Sequence, residues 1–445
     1  MTRHAPGNDA PAAQGAPVFD RRQILGAGGR AALAAGGWGS LSLAGCEPPV
    51  RQRQVKVGIL HSQTGTMAIS ETSLRDVELF AIDEINAAGG VLGREIVPVV
   101  ENPRSRFDDL FPKKARKLLV EDQVAAIFGC WTSSSRKAVL PVLERVNGLL
   151  FYPLQYEGNE SSRNVVYAGS APNQQILPAV DWLLSDAGGS KRRFYLLGSD
   201  YVFPWTANYV VAKYLEQRHP EAAVVGKQYL PLGCQDFAAA VAAIQAAEPD
   251  VILSTLNGDS NVYFYNELAA QQVTADKLPV MATSVGEDEL RGLLPEVVEG
   301  HLAAWHYFQT IDTEANRLFV RDFRQEHGED RVLDDPMESA YAAVHLWKAA
   351  VEKAGRFEVD AVRAAFAAGV EFAAPGGTIR VDPKTQHCFK RCRIGRIRGD
   401  RQFDVVHASP ESIAPDPYPA EAFPGWSCDW TLGGVSAGEP VVIRR

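Results

Sequence analysis

Phe128-Gly-Cys-Trp-Thr-Ser-Ser-Ser-Arg-Lys137 decides how this chain is read. Ahead of it, Val124-Ala-Ala-Ile-Phe128 is apolar and of strand length; behind it, Lys137-Ala-Val-Leu-Pro-Val-Leu-Glu-Arg-Val146 carries apolar residues at helical spacing. A strand, a tight Gly turn and a hydroxyl-rich helix start place free backbone N–H groups at the carboxyl end of a sheet. Thr132, Ser133, Ser134 and Ser135 add hydroxyls at the same spot. The pattern predicts a small polar ligand held at a strand-to-helix turn.

The same unit recurs on both sides. Val55-Lys-Val-Gly-Ile-Leu60 reads as a strand and His61-Ser-Gln-Thr-Gly-Thr66 as a polar turn. Leu74, Val77, Ala81 and Ile85 then mark one face of a helix that Gly89-Gly90 stops. Strand Ile96-Val-Pro-Val-Val100, a helix over 112–120, the quoted unit and strand Leu149-Leu-Phe-Tyr152 continue the series. From Arg193-Phe-Tyr-Leu-Leu-Gly198 the alternation restarts, with strands at 224–230, 251–255 and 279–282 and helices between them. Such βαβα alternation predicts parallel sheets covered on both faces, and two successive units predict two lobes with a cleft between them. Further on, Met337, Tyr341, Val344 and Val351 form an amphipathic helix, and 376–406 reads as strands joined by turns. From Pro415-Asp-Pro-Tyr-Pro419 the chain is Pro-rich and irregular.

Composition narrows the function classes. The 445 residues exceed what one core holds, and Lys plus Arg total 45 against 54 Asp and Glu, a net charge of −9. That balance argues against a nucleic-acid partner, which calls for a basic stripe. No apolar run approaches the ~20 residues of a membrane span. The six cysteines are too scattered for a disulfide scaffold; Cys388 and Cys392 suit a disulfide or a free pair better than a metal, so neither metal nor cofactor is expected. Ser134-Ser-Arg-Lys137 fits S-x-x-K, but its companion motifs S-D-N and K-T-G are missing, and no G-x-S-x-G elbow or phosphate loop occurs. Gly26-Ala-Gly-Gly-Arg-Ala31 matches a dinucleotide fingerprint without the strand that motif requires. The chain reads as a binder, not an enzyme. Its first 46 residues read as an address: Arg21-Arg22 before a modest apolar segment resembles a twin-arginine export signal, and Leu43-Ala-Gly-Cys46 resembles a lipobox that would lipidate Cys46. Export to the periplasm follows, with contact to the membrane only through that lipid.

Polar turns fall at the predicted carboxyl ends of four strands: 131–135, Tyr152-Pro-Leu-Gln-Tyr156, Ser199-Asp-Tyr201 and Asn257-Gly-Asp259. One such turn is an ordinary helix cap; four in register make a site. Gly58-Ile-Leu-His-Ser-Gln-Thr-Gly-Thr-Met-Ala68 resembles the opening of periplasmic binding proteins of the leucine/isoleucine/valine and amide-binding class. The quoted stretch to Val139, together with Tyr152-Pro-Leu-Gln-Tyr-Glu-Gly158, Gly198-Ser-Asp-Tyr-Val-Phe-Pro204 and Thr255-Leu-Asn-Gly-Asp-Ser-Asn261, resembles the substrate-binding component of urea ABC importers.

The resemblance implies an α/β fold of two doubly wound parallel-sheet lobes joined by a hinge, the type I periplasmic binding fold. Its discontinuous lobes place residues 54–172 in the first lobe, rejoined by about 303–376, and 173–302 in the second, rejoined by about 377–408. Residues 409–445 remain as a C-terminal extension. It also implies ligand contacts at Ser133, Tyr152 and Tyr201, with Trp131 as a wall. Thr132, Gln155, Tyr156, Asn257, Asp259 and Ser284 complete the candidate site. Thr283 and Ser284 stand where amino-acid-binding relatives place an acidic residue, which weakens an amino-acid reading unless Asp259 or Glu287 substitutes. Urea suits the rest: the Ser133 hydroxyl and the helix start face its carbonyl, while Asp259 and Asn257 accept from its amide hydrogens. The implied partners are urea or a small amide and the permease subunits of an ABC transporter. A branched-chain amino acid receptor and a cytoplasmic amide-sensing regulator are the alternatives, and a regulator would lack the export signal.

Overall fold

A computed structural model describes residues 54–443. The first sheet contains β1 (Gln54–Leu60), β2 (Glu95–Glu101), β3 (Ile127–Gly129), β4 (Leu150–Tyr152) and β5 (Val165–Tyr167) in the order β2-β1-β3-β4-β5, all parallel. The second sheet is built on β6 (Arg193–Ser199), β7 (Ala223–Leu230), β8 (Val251–Thr255), β9 (Val280–Ala282) and β10 (Leu302–Trp305). A short hairpin of β11 (Glu371–Ala374) and β12 (Gly377–Arg380) precedes β13 (Arg393–Ile397) and β14 (Phe403–Ala408). The seven strands of the second sheet run β14-β13-β10-β9-β8-β6-β7; β13 is antiparallel to both its neighbours, β10 and β14, so it alone runs against the rest.

Both sheets are covered on both faces, which the period-two side-chain pattern makes visible. In β6, Phe194 and Leu196 join one core while Tyr195 and Leu197 join the core on the opposite face; in β8, Val251 and Leu253 oppose Ile252 in the same way. Helix Asp335–Ala354 comes from late in the chain and packs into the first lobe's core through Met337, Val344, Trp347 and Val351. Its ends carry their own signals. Asp334 caps it by accepting from the Met337 N–H, Pro336 fills a first-turn position whose N–H needs no partner, and Gly355 closes it at φ 66°.

The chain crosses between lobes three times, and the crossings shift the expected lobe boundaries. Residues from 303 onward do not rejoin the first lobe directly, because β10 pairs with β9 and β13 in the second sheet. Nor does the second lobe resume at 377: Ile379, Val381 and Cys388 are buried in the first core, and Cys392 and Ile394 in the second. The crossings are held by buried polar groups. Asp335 accepts from the backbone N–H groups of His306 and Tyr307 at 2.8 and 2.9 Å, and Lys390 donates to Ser339 at 2.8 Å. Gln175 donates to the carbonyls of Thr283 and Ala304.

The C-terminal residues pack rather than trail. Tyr418 and Phe423 enter the second lobe's core, while the Trp430 N–H donates to the Lys384 carbonyl and its indole to Ser161 of the first lobe. Residues 427–436 add a two-stranded hairpin, β15 (Ser427–Asp429) and β16 (Gly434–Ser436), to an otherwise irregular segment. Cys388 and Cys392 are free thiols in different cores. The export signal and Cys46 lie outside the described residues.

Candidate functional site

Each sheet reverses its strand order beside its first strand, at β1/β3 in one lobe and β6/β8 in the other. Open α/β sheets hold ligands outside the carboxyl ends of the strands at such points. The two reversal points face each other across the cleft. Between them lies a cavity of about 10 Å³, lined by Trp131, Ser133, Tyr152, Leu154, Gln155, Tyr201, Phe203 and Asn257. The first five come from the turns after β3 and β4, the last three from those after β6 and β8.

Local backbone geometry aims these turns. A Cβ at Gly129 would sit 2.5 Å from the Leu60 carbonyl oxygen, so β3 lies against β1 only with glycine there. Cys130 then takes a left-handed backbone at φ 66°, which swings the chain into helix Ser133–Val146. Thr132 caps that helix, accepting from the Ser135 N–H at 3.0 Å. The N–H groups of Ser133 and Ser134, at the cleft end of the helix, have no acceptor among the described residues.

The hydroxyls are committed. Tyr152 donates to the Trp131 carbonyl at 2.6 Å. Ser133 donates to the Glu157 carboxylate at 2.5 Å and accepts from the Arg136 guanidinium at 3.1 Å. Each hydroxyl has one proton, so both have only lone pairs left to offer. Gln155 donates through Nε2 to the Thr283 carbonyl and the Ser284 hydroxyl, both at 2.9 Å, which leaves its Oε1 buried without a partner. Asn257 donates one amide N–H to the Thr255 carbonyl at 3.1 Å, leaving its second N–H as a donor and Oδ1 as an acceptor. The Tyr201 hydroxyl has no hydrogen-bond partner among the described residues; burial and the neighbouring Tyr152 and Glu157 raise its pKa well above the ordinary tyrosine value, so it keeps its proton to donate. Acceptors outnumber side-chain donors.

Behind this wall sits a buried charge cluster. The Arg136 guanidinium donates to Glu160 at 2.6 Å and to Glu157 at 3.3 Å, lies 4.7 and 4.8 Å from the ring centres of Tyr152 and Tyr156, and is fully buried. Burial works against its charge, but Glu160 and Glu157 outweigh it and hold the group charged. Burial alone would raise Glu160; Arg136 and Lys137 reverse that and hold it at about 2. Two cations and two carboxylates balance, so the cluster presents no net charge to the cavity. A second buried group, His61 with Glu71 and Glu78, lies under the β1 turn. His61 bonds Glu78 at 3.0 Å, Glu71 accepts from the Ser62 N–H, and burial pushes Glu71 up to about 7.

Six of the ten candidate residues therefore line the cavity: Trp131, Ser133, Tyr152, Gln155, Tyr201 and Asn257. Four do not. Thr132 serves as a helix cap, and Tyr156 stacks on Arg136 while its hydroxyl meets Glu160 and His387. Ser284 receives Gln155 from behind. Asp259 is part-exposed at the start of helix Ser260–Ala270, outside the cavity, so the acceptor on this side is Asn257. Glu287 is no substitute, since it lies outside the cavity lining and its Oε1 accepts from the Gln309 N–H. The expected role of the Ser133 hydroxyl as donor to a ligand carbonyl also fails, because Glu157 takes its proton. Sequence reading missed Leu154 and Phe203, although both sit inside quoted motifs, and it missed the Arg136 cluster. The pairing of Arg136 with Glu157 and Glu160 spans more than twenty residues and left no local pattern.

Facing α/β lobes around a small closed cavity define a two-lobed solute-binding protein. The chain belongs to the family described as periplasmic binding protein domain, whose model matches residues 55–423. Members are type I binding components of ABC transporters, which hold small molecules for a permease and are not enzymes. The chain is similar to the Leu/Ile/Val-binding protein homolog 6 of Brucella melitensis, 24% identical over 345 residues, 75% of this chain and 85% of that protein. A 118-residue stretch is 27% identical to limonene hydroxylase of Geobacillus stearothermophilus, covering 26% of this chain and only 21% of that protein. Among solved structures, a solute-binding protein from Rhodopseudomonas palustris HaA2 in complex with p-hydroxybenzoic acid superposes with a TM-score of 0.70 at 19% identity, over 81% of this chain and 98% of that one. The branched-chain amino acid-binding protein of Streptococcus pneumoniae with isoleucine gives 0.68 at 17%, over 82% and 100%. These likenesses support the fold. Among the described residues no helix is long and apolar enough to cross a membrane.

Proposed function

We propose that this chain is the solute receptor of a urea importer, closing on urea or a short-chain amide and presenting it to the permease. The observation that carries the reading is the hydrogen-bond balance of the cavity. Ser133, Tyr152, Gln155 and Asn257 offer acceptors, with Gln155 Oε1 buried and unpartnered, against the Tyr201 hydroxyl, the second Asn257 amide N–H, the Trp131 indole N–H and the N–H groups at the helix start. Urea is neutral and planar, with four N–H donors and one carbonyl, and matches that balance. The room left between these side chains is about 10 Å³, far below the roughly 300–1,000 Å³ of pockets for larger ligands, so only a very small guest suits the site. No carboxylate lines the cavity to receive an α-ammonium group, and the nearby Arg136 is already paired, so amino acids and benzoates lack a counter-charge.

Closure follows from the same inventory. Gln155 reaches across the cleft to Thr283 and Ser284, and its orphan oxygen costs about 1–3 kcal/mol in a dry cavity unless a ligand N–H meets it. The ligand thus stabilises the closed form over the open one, which is what drives closure. Titration calorimetry of the purified protein with urea, acetamide, isoleucine and 4-hydroxybenzoate tests the reading: urea binds, acetamide binds more weakly, and the two acids do not bind. Isoleucine binding with urea silent would overturn it. Export through the Arg21-Arg22 signal, with Cys46 as a lipid anchor, belongs to the same proposal. The cell fraction holding a C46S variant checks it: the variant leaves the membrane fraction if Cys46 is the anchor and stays if it is not.

A further inference from the structure

We infer that Glu157, which is outside the cavity lining, sets the specificity of the site by fixing the direction of the Ser133 hydroxyl. The inference rests on the urea reading above. A serine at a ligand cavity ordinarily rotates its hydroxyl to suit the guest, donating to a carbonyl or accepting from an amide. Here that freedom is gone. The Arg136 guanidinium has donors only, and it occupies one Ser133 lone pair at 3.1 Å. The Glu157 carboxylate, 2.5 Å away, takes the single proton. Ser133 and Glu157 are both buried, so water does not compete for either bond. What remains for the cavity is one lone pair.

Tyr152 repeats the arrangement beside it, with its proton on the Trp131 carbonyl. The first lobe's two hydroxyls, Ser133 and Tyr152, therefore show the ligand acceptors alone, and an N–H₂ group is the partner they select. A carbonyl oxygen turned to these two hydroxyls meets lone pairs, leaving buried groups unpaired, which is a strong source of discrimination in a small polar site. A ligand with N–H₂ on both sides of its carbonyl satisfies the wall and still reaches Asn257 and Gln155. One with a methyl in place of an amino group leaves an acceptor empty. Glu157 is a positioning residue acting through Ser133.

E157Q isolates the effect. Arg136 and Lys137 approach Oε1 at 3.3 and 3.7 Å and can only donate, so the glutamine oxygen takes that side and its amide turns to Ser133. Ser133 then accepts from the amide and releases its proton into the cavity. The expected result is that the ratio of urea to acetamide affinity, measured by calorimetry, falls at least tenfold in E157Q. S133A lowers the same ratio by removing the acceptor, and adding E157Q to S133A changes it no further; a merely structural role for Glu157 would leave the ratio alone or act additively. A folded E157Q protein with an unchanged ratio overturns the inference while leaving the urea reading intact. If E157Q does not fold, S133A decides: an unchanged ratio there overturns the inference equally. Wild-type protein that binds neither compound overturns both.

Discussion

Arg136→Met lowers stability by about 3–5 kcal/mol, seen as a thermal midpoint several degrees below wild type. Removing the guanidinium strands Glu157 and Glu160 in the interior, where the full desolvation cost of each carboxylate is no longer offset. Lys137 is too exposed to take over both, and its reach to Glu157 is 3.7 Å. Three aromatic rings also lose the cation they enclose, those of Tyr152, Tyr156 and Tyr167. Heat is the right denaturant here, since urea is the proposed ligand. Arg136→Lys keeps the charge without the fork and falls between the two. A midpoint for Arg136→Met within two degrees of wild type, about what ~1 kcal/mol produces, would refute this account of the cluster.

Gln155→Leu weakens urea binding about 10- to 100-fold with little change in thermal stability of the ligand-free protein. The substitution deletes the acceptor that, among the described cavity-lining residues, is buried without a partner, together with two bonds to the opposite lobe. A lost hydrogen bond to a buried group is worth about 1–3 kcal/mol, and each 1.4 kcal/mol is tenfold in affinity. Stability stays close to wild type because leucine fills about the same volume and the two bonds it removes run between the lobes, not within either core. Calorimetric affinities for the two proteins agreeing within threefold would remove Gln155 from the site.

Much of the fold was legible because strand and helix periods announce themselves over five or more residues. Arg193–Ser199 and helix Asp335–Ala354 carry their own patterns and caps. Where the signal was too short, tertiary context decided. Val165–Tyr167 is a three-residue strand that looks like loop, and Leu302–Trp305 contains two alanines, poor strand formers held in place by β9 and β13. The lobe boundaries slipped for the same reason.

At the site, the sequence alone determined where ligand-facing turns fall, because a strand that ends in Gly and leads into a capped helix puts its polar residues at the sheet's carboxyl edge. Those turns carry Ser133, Tyr152, Tyr201 and Asn257, and it is the resemblance to urea-importer receptors that singles out the first three. The direction of each hydrogen bond was decided only by the tertiary structure. Whether Ser133 gives or accepts depends on Glu157 and Arg136 sharing one dry space behind it, and whether Asp259 or Asn257 faces the ligand depends on how helix Ser260–Ala270 begins. Residue type sets what a side chain is able to bond. Its neighbours in space settle which of those bonds are already taken, and only the remainder is available to a ligand.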